Sequence, residues 1–313
     1  MKKDKPFKEG FVKTKYHKVH YSIYGNPNGT PWLFCHGGPG YRCVPDSNLK
    51  FFDLKKDMVI LMDQRGAGES KPSAELRENS TQHLIKDMEQ ILTKLKISKI
   101  NILGSSWGTT LALVFAIHNP TMVKSLVLKS VFLGRKKDIW NIYKPSPLWT
   151  HNQLEKYKAT LGVLKKEFGI QNFLIDGEKI LKKKNKDSVR FAKLWASYED
   201  LICSKKWEII DFDADYLKIA MNISTIEIHY FKNNCFLPVN FILKNAPKIS
   251  HIPTFVIHGY EDMVCSVNQA HRLQIALNCR SYIDPTGGHA STDRMKRFVK
   301  EAVKEARKLN KSN

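Results

Sequence analysis

Between a short apolar run, Ile100 to Leu103, and a longer apolar stretch that stops at Asn119-Pro120, the chain reads Gly104-Ser105-Ser106-Trp107-Gly108. A Gly-x-Ser-x-Gly string in that setting predicts a strand that ends in a tight, strained turn and opens directly into a helix. Glycines two residues either side of Ser106 let the backbone pass close to its neighbours. The turn holds the Ser106 hydroxyl up and exposed, which suits a nucleophile, while Ser105 falls at a non-catalytic position of the motif. The same turn places the Trp107 backbone N–H at a helix N-terminus, where it can stabilise an oxyanion. A chance Gly/Ser turn is the bland alternative, and the strand before and helix after argue against it.

The flanking pattern extends this unit into a fold. Val19 to Tyr24 and Trp32 to Cys35 are β-like runs around the turn Gly25-Asn26-Pro27-Asn28-Gly29. Met58 to Met62 is continuously apolar, as in a strand buried on both faces. Leu84, Ile85, Met88, Ile91, Leu92 and Leu95 share one helical face. A helix from about Trp107 to His118 is followed by the strand-like Leu126-Val127-Leu128. Alternating strands and helices at this spacing predict an α/β fold with a mostly parallel sheet and crossover helices. The alternation breaks over residues 135–248, which read as helical, polar and aromatic, and resumes at Thr254-Phe255-Val256-Ile257. The expected organisation is a core of residues 1–134 and 249–313 carrying an inserted helical cap, residues 135–248. Met295, Phe298, Val299, Ala302, Val303, Ala306 and Leu309 line one face of a terminal helix whose other face is basic.

Composition narrows the class. With 42% hydrophobic residues in 313, the chain can bury a core, so wholesale disorder is excluded. No apolar run approaches the roughly 18 residues that a bilayer span needs. The charged start, Met1 to Pro6, is not followed by an apolar stretch, so no secretory signal is visible and a cytoplasmic protein is expected. Six cysteines at 35, 43, 203, 235, 265 and 279 form no Cys-x-x-Cys pair and read as reduced thiols. Cys35 beside His36 resembles a ligand pair, but adjacent strand residues point to opposite faces. The net charge of +21 is spread over three stretches, Lys2 to Lys18, Lys165 to Lys186 and Lys296 to Lys311, with no nucleic-acid motif among them. A lysine-rich solvated surface is the expectation, with neither a nucleic-acid nor a membrane partner.

Three further strings complete a candidate site. His36-Gly37-Gly38-Pro39-Gly40 follows an early strand, where the second oxyanion donor is expected; Gly37 N–H is the first choice and Gly38 the alternative. His258-Gly259-Tyr260-Glu261-Asp262 follows the resumed strand, so Glu261 and Asp262 compete as the acid of a Ser, acid, His order. Gly287-Gly288-His289 stands in a loop before the last helix, and His289 can serve as the base if that loop brings it to Ser106.

Together these motifs resemble the proline iminopeptidase (prolyl aminopeptidase) family of α/β-hydrolases. The matching strings are His36 to Gly40, Asp63-Gln64-Arg65-Gly66-Ala67-Gly68 and Gly104 to Leu113, in order along a resemblance that runs from about residue 7 to 305. The family's acid follows a strand in a Gly-Arg-Tyr-Asp string, which selects Asp262 here, although Tyr260 and Glu261 differ and Ser266 stands where a proline is usual. The resemblance implies two further residues, glutamates that bind the free N-terminal amine of the substrate. One matches Glu199, in Trp195-Ala196-Ser197-Tyr198-Glu199 with Tyr198 for a second tryptophan. The other matches Glu227, in Ile226-Glu227-Ile228-His229-Tyr230-Phe231. Phe132, Trp195 and Tyr230 are candidates to pack on a pyrrolidine ring. The implied function is a serine aminopeptidase that releases N-terminal proline from peptides through a Ser106-His289-Asp262 triad, a Gly37 and Trp107 oxyanion hole and a covalent prolyl-enzyme, with no metal or cofactor. A related hydrolase acting on other N-terminal residues, esters or lactones is the alternative.

Overall fold

The computed structural model describes residues 5–145, 150–204 and 213–309. The outer ends of the basic stretches, at Lys2 and Lys311, and residues 146–149 and 205–212 of the inserted segment lie outside the described residues.

Eight strands make one sheet: β1 (Lys8–Lys13), β2 (Lys18–Gly25), β3 (Thr30–Cys35), β4 (Asp57–Met62), β5 (Ile100–Ser105), β6 (Val123–Lys129), β7 (Thr254–Gly259) and β8 (Arg280–Asp284). They lie in the order β1-β2-β4-β3-β5-β6-β7-β8. The β1/β2 and β2/β4 pairs are antiparallel and the other neighbours are parallel. In chain order the helices are α1 (Pro45–Asn48), α2 (Thr81–Lys94) and α3 (Trp107–His118), then α4 (Lys136–Ile142), α5 (His151–Phe168), α6 (Phe173–Lys182), α7 (Lys186–Ser204), α8 (Ala214–Lys232) and α9 (Phe241–Asn245) between β6 and β7, and finally α10 (Val267–Leu277) and α11 (Asp293–Leu309).

The parallel strands are apolar on both faces because both are covered. Alternate residues sort into two buried clusters: Leu33, Ile60, Met62 and Ile102 on one side of the sheet, and Trp32, Phe34, Val59, Leu61 and Leu103 on the other. Helix α3 is buried from Trp107 through Ile117, since it is wedged between the sheet and both α2 and α9. On α11, Met295, Val299, Ala302, Val303 and Ala306 pack on the second cluster, Phe298 is only partly buried, and Leu309 at its end is exposed. Among the described residues no helix is long and apolar enough to cross a membrane.

Besides the short α1, three elements have no counterpart in the sequence reading. The outermost strands β1 and β8 bury little, only Val12 and Asp284 respectively being fully covered, so neither shows an apolar run. Helix α10 carries a weak stripe and begins at the Ser266 cap, whose hydroxyl accepts from Asn268 N–H. Strand β6 also outruns the apolar triplet 126–128, ending at the buried Lys129.

The terminal helix is fastened to the sheet by an ion pair. Arg307 donates from Nε to Asp57 Oδ1 at 2.7 Å and from a terminal nitrogen to Oδ2 at 2.5 Å, and both residues are buried. Breaking such a pair leaves a buried carboxylate uncompensated, which costs about 3–5 kcal/mol. Arg307→Met should therefore lower the unfolding free energy by that much, read as a lower urea midpoint at unchanged slope, and adding Asp57→Asn should restore most of the loss. A variant that unfolds with the parent would refute a structural role for the pair.

Candidate active site

Ser106 sits at the end of β5 with φ 56° and ψ −125°, outside the regions that a serine ordinarily adopts. The two glycines of its motif are sterically required. A Cβ on Gly104 would lie 2.5 Å from Gly108 O, and one on Gly108 would lie 2.0 Å from Cys35 O. Ser106 N–H donates to Lys129 O at 2.9 Å, and Thr109 donates to Ser106 O from N–H at 2.8 Å and from Oγ1 at 2.7 Å. These bonds hold a strained residue in place at the head of α3.

The loop after β3 is locked to the same turn. Gln64 donates from Nε2 to His36 O at 2.9 Å and accepts from Trp107 Nε1 at 2.8 Å. Gln64 N–H donates to His36 Nε2 at 3.0 Å, which fixes the neutral ring so that Nδ1–H donates to Gly37 O at 2.8 Å. Both ring nitrogens are thus engaged, and burial lowers the pKa of His36. His36 has no lone pair to offer a metal beside Cys35. Gly37 lies against the nucleophile turn, where an added Cβ would be 3.2 Å from Ser106 Cβ and 3.8 Å from Oγ. Among the described residues neither Gly37 N–H nor Trp107 N–H donates to another protein group. Gly38 lines the same cavity and stays an alternative donor.

The acid and the histidine meet across the end of β7. His289 Nδ1 lies 2.9 Å from Asp262 Oδ2 and 3.0 Å from Oδ1. Asp262 Oδ1 also accepts from Val264 N–H at 2.9 Å and Cys265 N–H at 2.8 Å. Burial pushes the Asp262 carboxyl up, but the adjoining His289 and the backbone donors outweigh it and hold the group below its ordinary value. Of the two competing acids, Asp262 is the one whose carboxylate bonds His289 Nδ1. His289 and Ser106 line one cavity, and no hydrogen bond joins them among the described residues.

That cavity has a volume of about 550 Å³, within the range that encloses a small organic ligand. Helix α8 turns Ala220, Ile223, Glu227 and Phe231 toward it, and α7 turns Ala196, Glu199 and Cys203, each set at helical spacing. Glu199 and Glu227 hydrogen-bond each other, and Trp195 Nε1 donates to Glu227 Oε2 at 2.9 Å. Two carboxylates can share a hydrogen bond only through a proton. Burial raises both, and the charge of Glu227 raises Glu199 further, well above the ordinary glutamate range. Of the three candidate ring-packing aromatics, only Phe132 lines the cavity. Trp195 instead supports Glu227. Tyr230 packs edge-on against Trp107 and donates to Asn79 Oδ1 at 2.9 Å. Phe231 takes the place expected of Tyr230, because it follows Glu227 by four residues on the inward stripe. Tyr198 points away, its hydroxyl bonded to Ile142 O.

Two neighbours escaped the sequence reading. Lys129, 7% exposed, donates to His289 O at 3.1 Å and to Ser130 Oγ at 3.3 Å, and burial lowers its pKa. A lysine closing an apolar strand just before the cavity was the readable signal. Cys265 lies beside Ser106, and its thiol, with an Asp262 oxygen and a His289 nitrogen, falls within 4.8 Å of the others. Burial raises the Cys265 thiol well above its ordinary value, and Asp262 and His289 are bonded to each other.

Comparison with known proteins follows the same lines. A family model described as the alpha/beta hydrolase fold matches residues 30–293. A proline iminopeptidase of Neisseria meningitidis is 32% identical over 298 residues, which cover 92% of each chain. One of Arabidopsis thaliana is 34% identical over 279 residues, 87% of this chain and 72% of the relative. A crystal structure of proline iminopeptidase from Mycobacterium smegmatis superposes with a TM-score of 0.58 at 16% identity, over 97% of this chain and 100% of that one.

The shared proton gives a signed expectation. Unfolded glutamates ionise near pH ~4.3, whereas the folded pair keeps a proton above that value, so folding loses stability as pH rises toward the titration of the pair. Glu199→Gln removes this penalty. The melting temperature of the variant, relative to the parent, should be nearly unchanged at about pH 4 and higher by about 2–4 °C at about pH 8. A difference that stays flat with pH would contradict proton sharing.

Proposed function

The chain belongs to the proline iminopeptidase family of α/β-hydrolases, and on that premise we propose that it removes N-terminal proline from peptides by serine catalysis at Ser106. The observation that carries this reading is a single cavity lined by the strained Ser106, by His289, which bonds Asp262 behind it, and by the paired Glu199 and Glu227.

In the proposed mechanism the N-terminal ring of the substrate packs against Phe132 and Phe231, which touch each other on the cavity wall. Its protonated secondary amine offers two N–H donors to the two glutamates and displaces the proton they share. A blocked N-terminus has neither the charge nor the donors and leaves two buried acids without a partner. Ser106 Oγ attacks the proline carbonyl while its proton passes to His289 Nε2. Asp262 holds Nδ1–H and stabilises the imidazolium that forms. The negative charge on the carbonyl oxygen is received by the N–H groups of Gly37 and Trp107, each worth on the order of 3 kcal/mol. Collapse breaks the C–N bond, and the His289 proton goes to the departing amine. Water, deprotonated by His289, then cleaves the prolyl ester and restores Ser106. The helices between β6 and β7, residues 135–248, act as the cap that closes the amine end of the cavity and makes the reaction exopeptidic. The six free cysteines suit a cytoplasmic location, and the dispersed lysines suit a solvated surface.

Three substrates test the reading: a proline arylamide, its N-acetylated form and a simple aryl ester. The arylamide should be hydrolysed, the acetylated form should not, and Ser106→Ala should reduce turnover on the order of a million-fold. Equal use of the acetylated compound, or retained turnover in Ser106→Ala, would overturn it.

A further inference from the structure

The cavity is larger than a proline ring needs, and one cation on its wall has no hydrogen bond or ion pair among the described residues. Arg42 follows the His36-to-Gly40 loop and lines the cavity together with Tyr41, Ser47 and Asn48. Its Nε is buried without a hydrogen-bond partner, and among the described residues its guanidinium makes no ion pair. Arg42 is half-buried, and unlike it the buried arginines of this protein are paired: Arg65 is held by Asp87 at 2.6 Å and Arg307 by Asp57. The acids that share the cavity with Arg42 are otherwise occupied. Glu199 and Glu227 bond each other, and Asp200 accepts from Ser204 at 3.5 Å.

The backbone that carries Arg42 is firmly placed. Cys43 N–H donates to Asp63 Oδ1 at 2.8 Å, and the other oxygen of Asp63 accepts from Glu69 N–H and lies 3.2 Å from His20 Nδ1. Gly40, two residues before Arg42, rests on α8, where an added Cβ would be 2.8 Å from Asn222 O. The guanidinium is therefore presented from a fixed platform in the same loop as Gly37, while the acids of the cavity come from the inserted helices.

We propose that Arg42 is a substrate-binding residue that receives the free α-carboxylate of a short leaving peptide, so that the preferred substrates are zwitterionic prolyl di- and tripeptides. This rests on the aminopeptidase reading given above. The cavity then matches both ends of such a molecule: two acids for the ammonium, and a forked cation for the carboxylate one or two residues beyond the scissile bond, at about 3.8 Å per residue. Arg42 lines the cavity, and a carboxylate there can engage its terminal guanidinium nitrogens through two parallel N–H bonds.

The test compares kcat/KM for Pro-Ala and for Pro-Ala amide, which differ only in the carboxylate, with a proline arylamide as reference. The unsubstituted protein should prefer the acid by at least about tenfold, with the difference in KM, and Arg42→Gln should bring the ratio close to one. Arg42→Lys, which keeps the charge but loses the fork, should retain part of the preference. A ratio near one in the unsubstituted protein overturns the inference without any variant, and so does a preference that survives Arg42→Gln. If the arylamide is cleaved while the ratio is one, the aminopeptidase reading stands and the Arg42 assignment falls. If no proline substrate is cleaved, both fall.

Discussion

The carboxamide of Gln64 joins the two loops on which the site is built, donating to His36 O and accepting from the Trp107 indole. β4, which ends just before Gln64, is paired with β3, and β3 with β5, so three adjacent parallel strands deliver their loops to one edge of the sheet. Topology alone brings those loops near one another. The buried amide sets their separation, because rotating it would orphan His36 O and the indole N–H together, at about 1–3 kcal/mol each. The same network reaches the inserted helices. Asn79 donates to Arg65 O and accepts from Tyr230 on α8, three residues beyond Glu227. The spacing between Ser106 and the acid pair is thus a property of the folded frame.

Charge is treated in two ways within this frame. Arg65 with Asp87 and Arg307 with Asp57 are buried in opposite-sign pairs that satisfy themselves. Glu199 with Glu227 is a pair of like groups, the first half-buried and the second buried, hydrogen-bonded to each other and both raised by burial, and among the described residues neither forms an ion pair. Burying like charges is costly to folding, and a proton held between the two acids removes their repulsion. The contrast separates ion pairs that are complete from an acid pair that a cationic ligand can neutralise, which is the role given to the substrate ammonium in the mechanism proposed above.

Much of this was legible in the sequence because the chemistry demands local patterns. The elbow needs glycines at 104 and 108, and the backbone contacts there leave no room for a side chain. The buried strands β3 to β7 had to be apolar on both faces. Strands β1 and β8 lie at the edges, where one neighbour and partial exposure remove the need for such a run, and they were invisible. The choice between Glu261 and Asp262 was not contained in the pattern of the chain, since it depends on which carboxylate the β7 turn directs at His289. Glu227 was readable in principle as an acid on the apolar stripe of α8 formed by Ala220, Ile223 and Phe231. The directions of Trp195 and Tyr230 were not, because proximity in sequence to a site residue does not decide which way a helical side chain points.

The strain at Ser106 follows from the same frame. A non-glycine residue at φ 56° is unfavourable by about 1–3 kcal/mol and persists only where its surroundings leave no alternative. Here three bonds, from Ser106 N–H to Lys129 O and from the two Thr109 donors to Ser106 O, fix the residue on both sides. On the adjacent strand end Ser130 is also at positive φ, 54°, and its hydroxyl together with Lys129 Nζ meets His289 O. The ends of β5 and β6 therefore place the hydroxyl and the carbonyl of the histidine loop through one set of contacts. Relaxing either strained residue would move both the Ser106 turn and the His289 loop. The folded sheet thus fixes two loops relative to each other in a geometry that neither would adopt alone, and on the mechanism proposed above this lessens the reorganisation left to the chemistry.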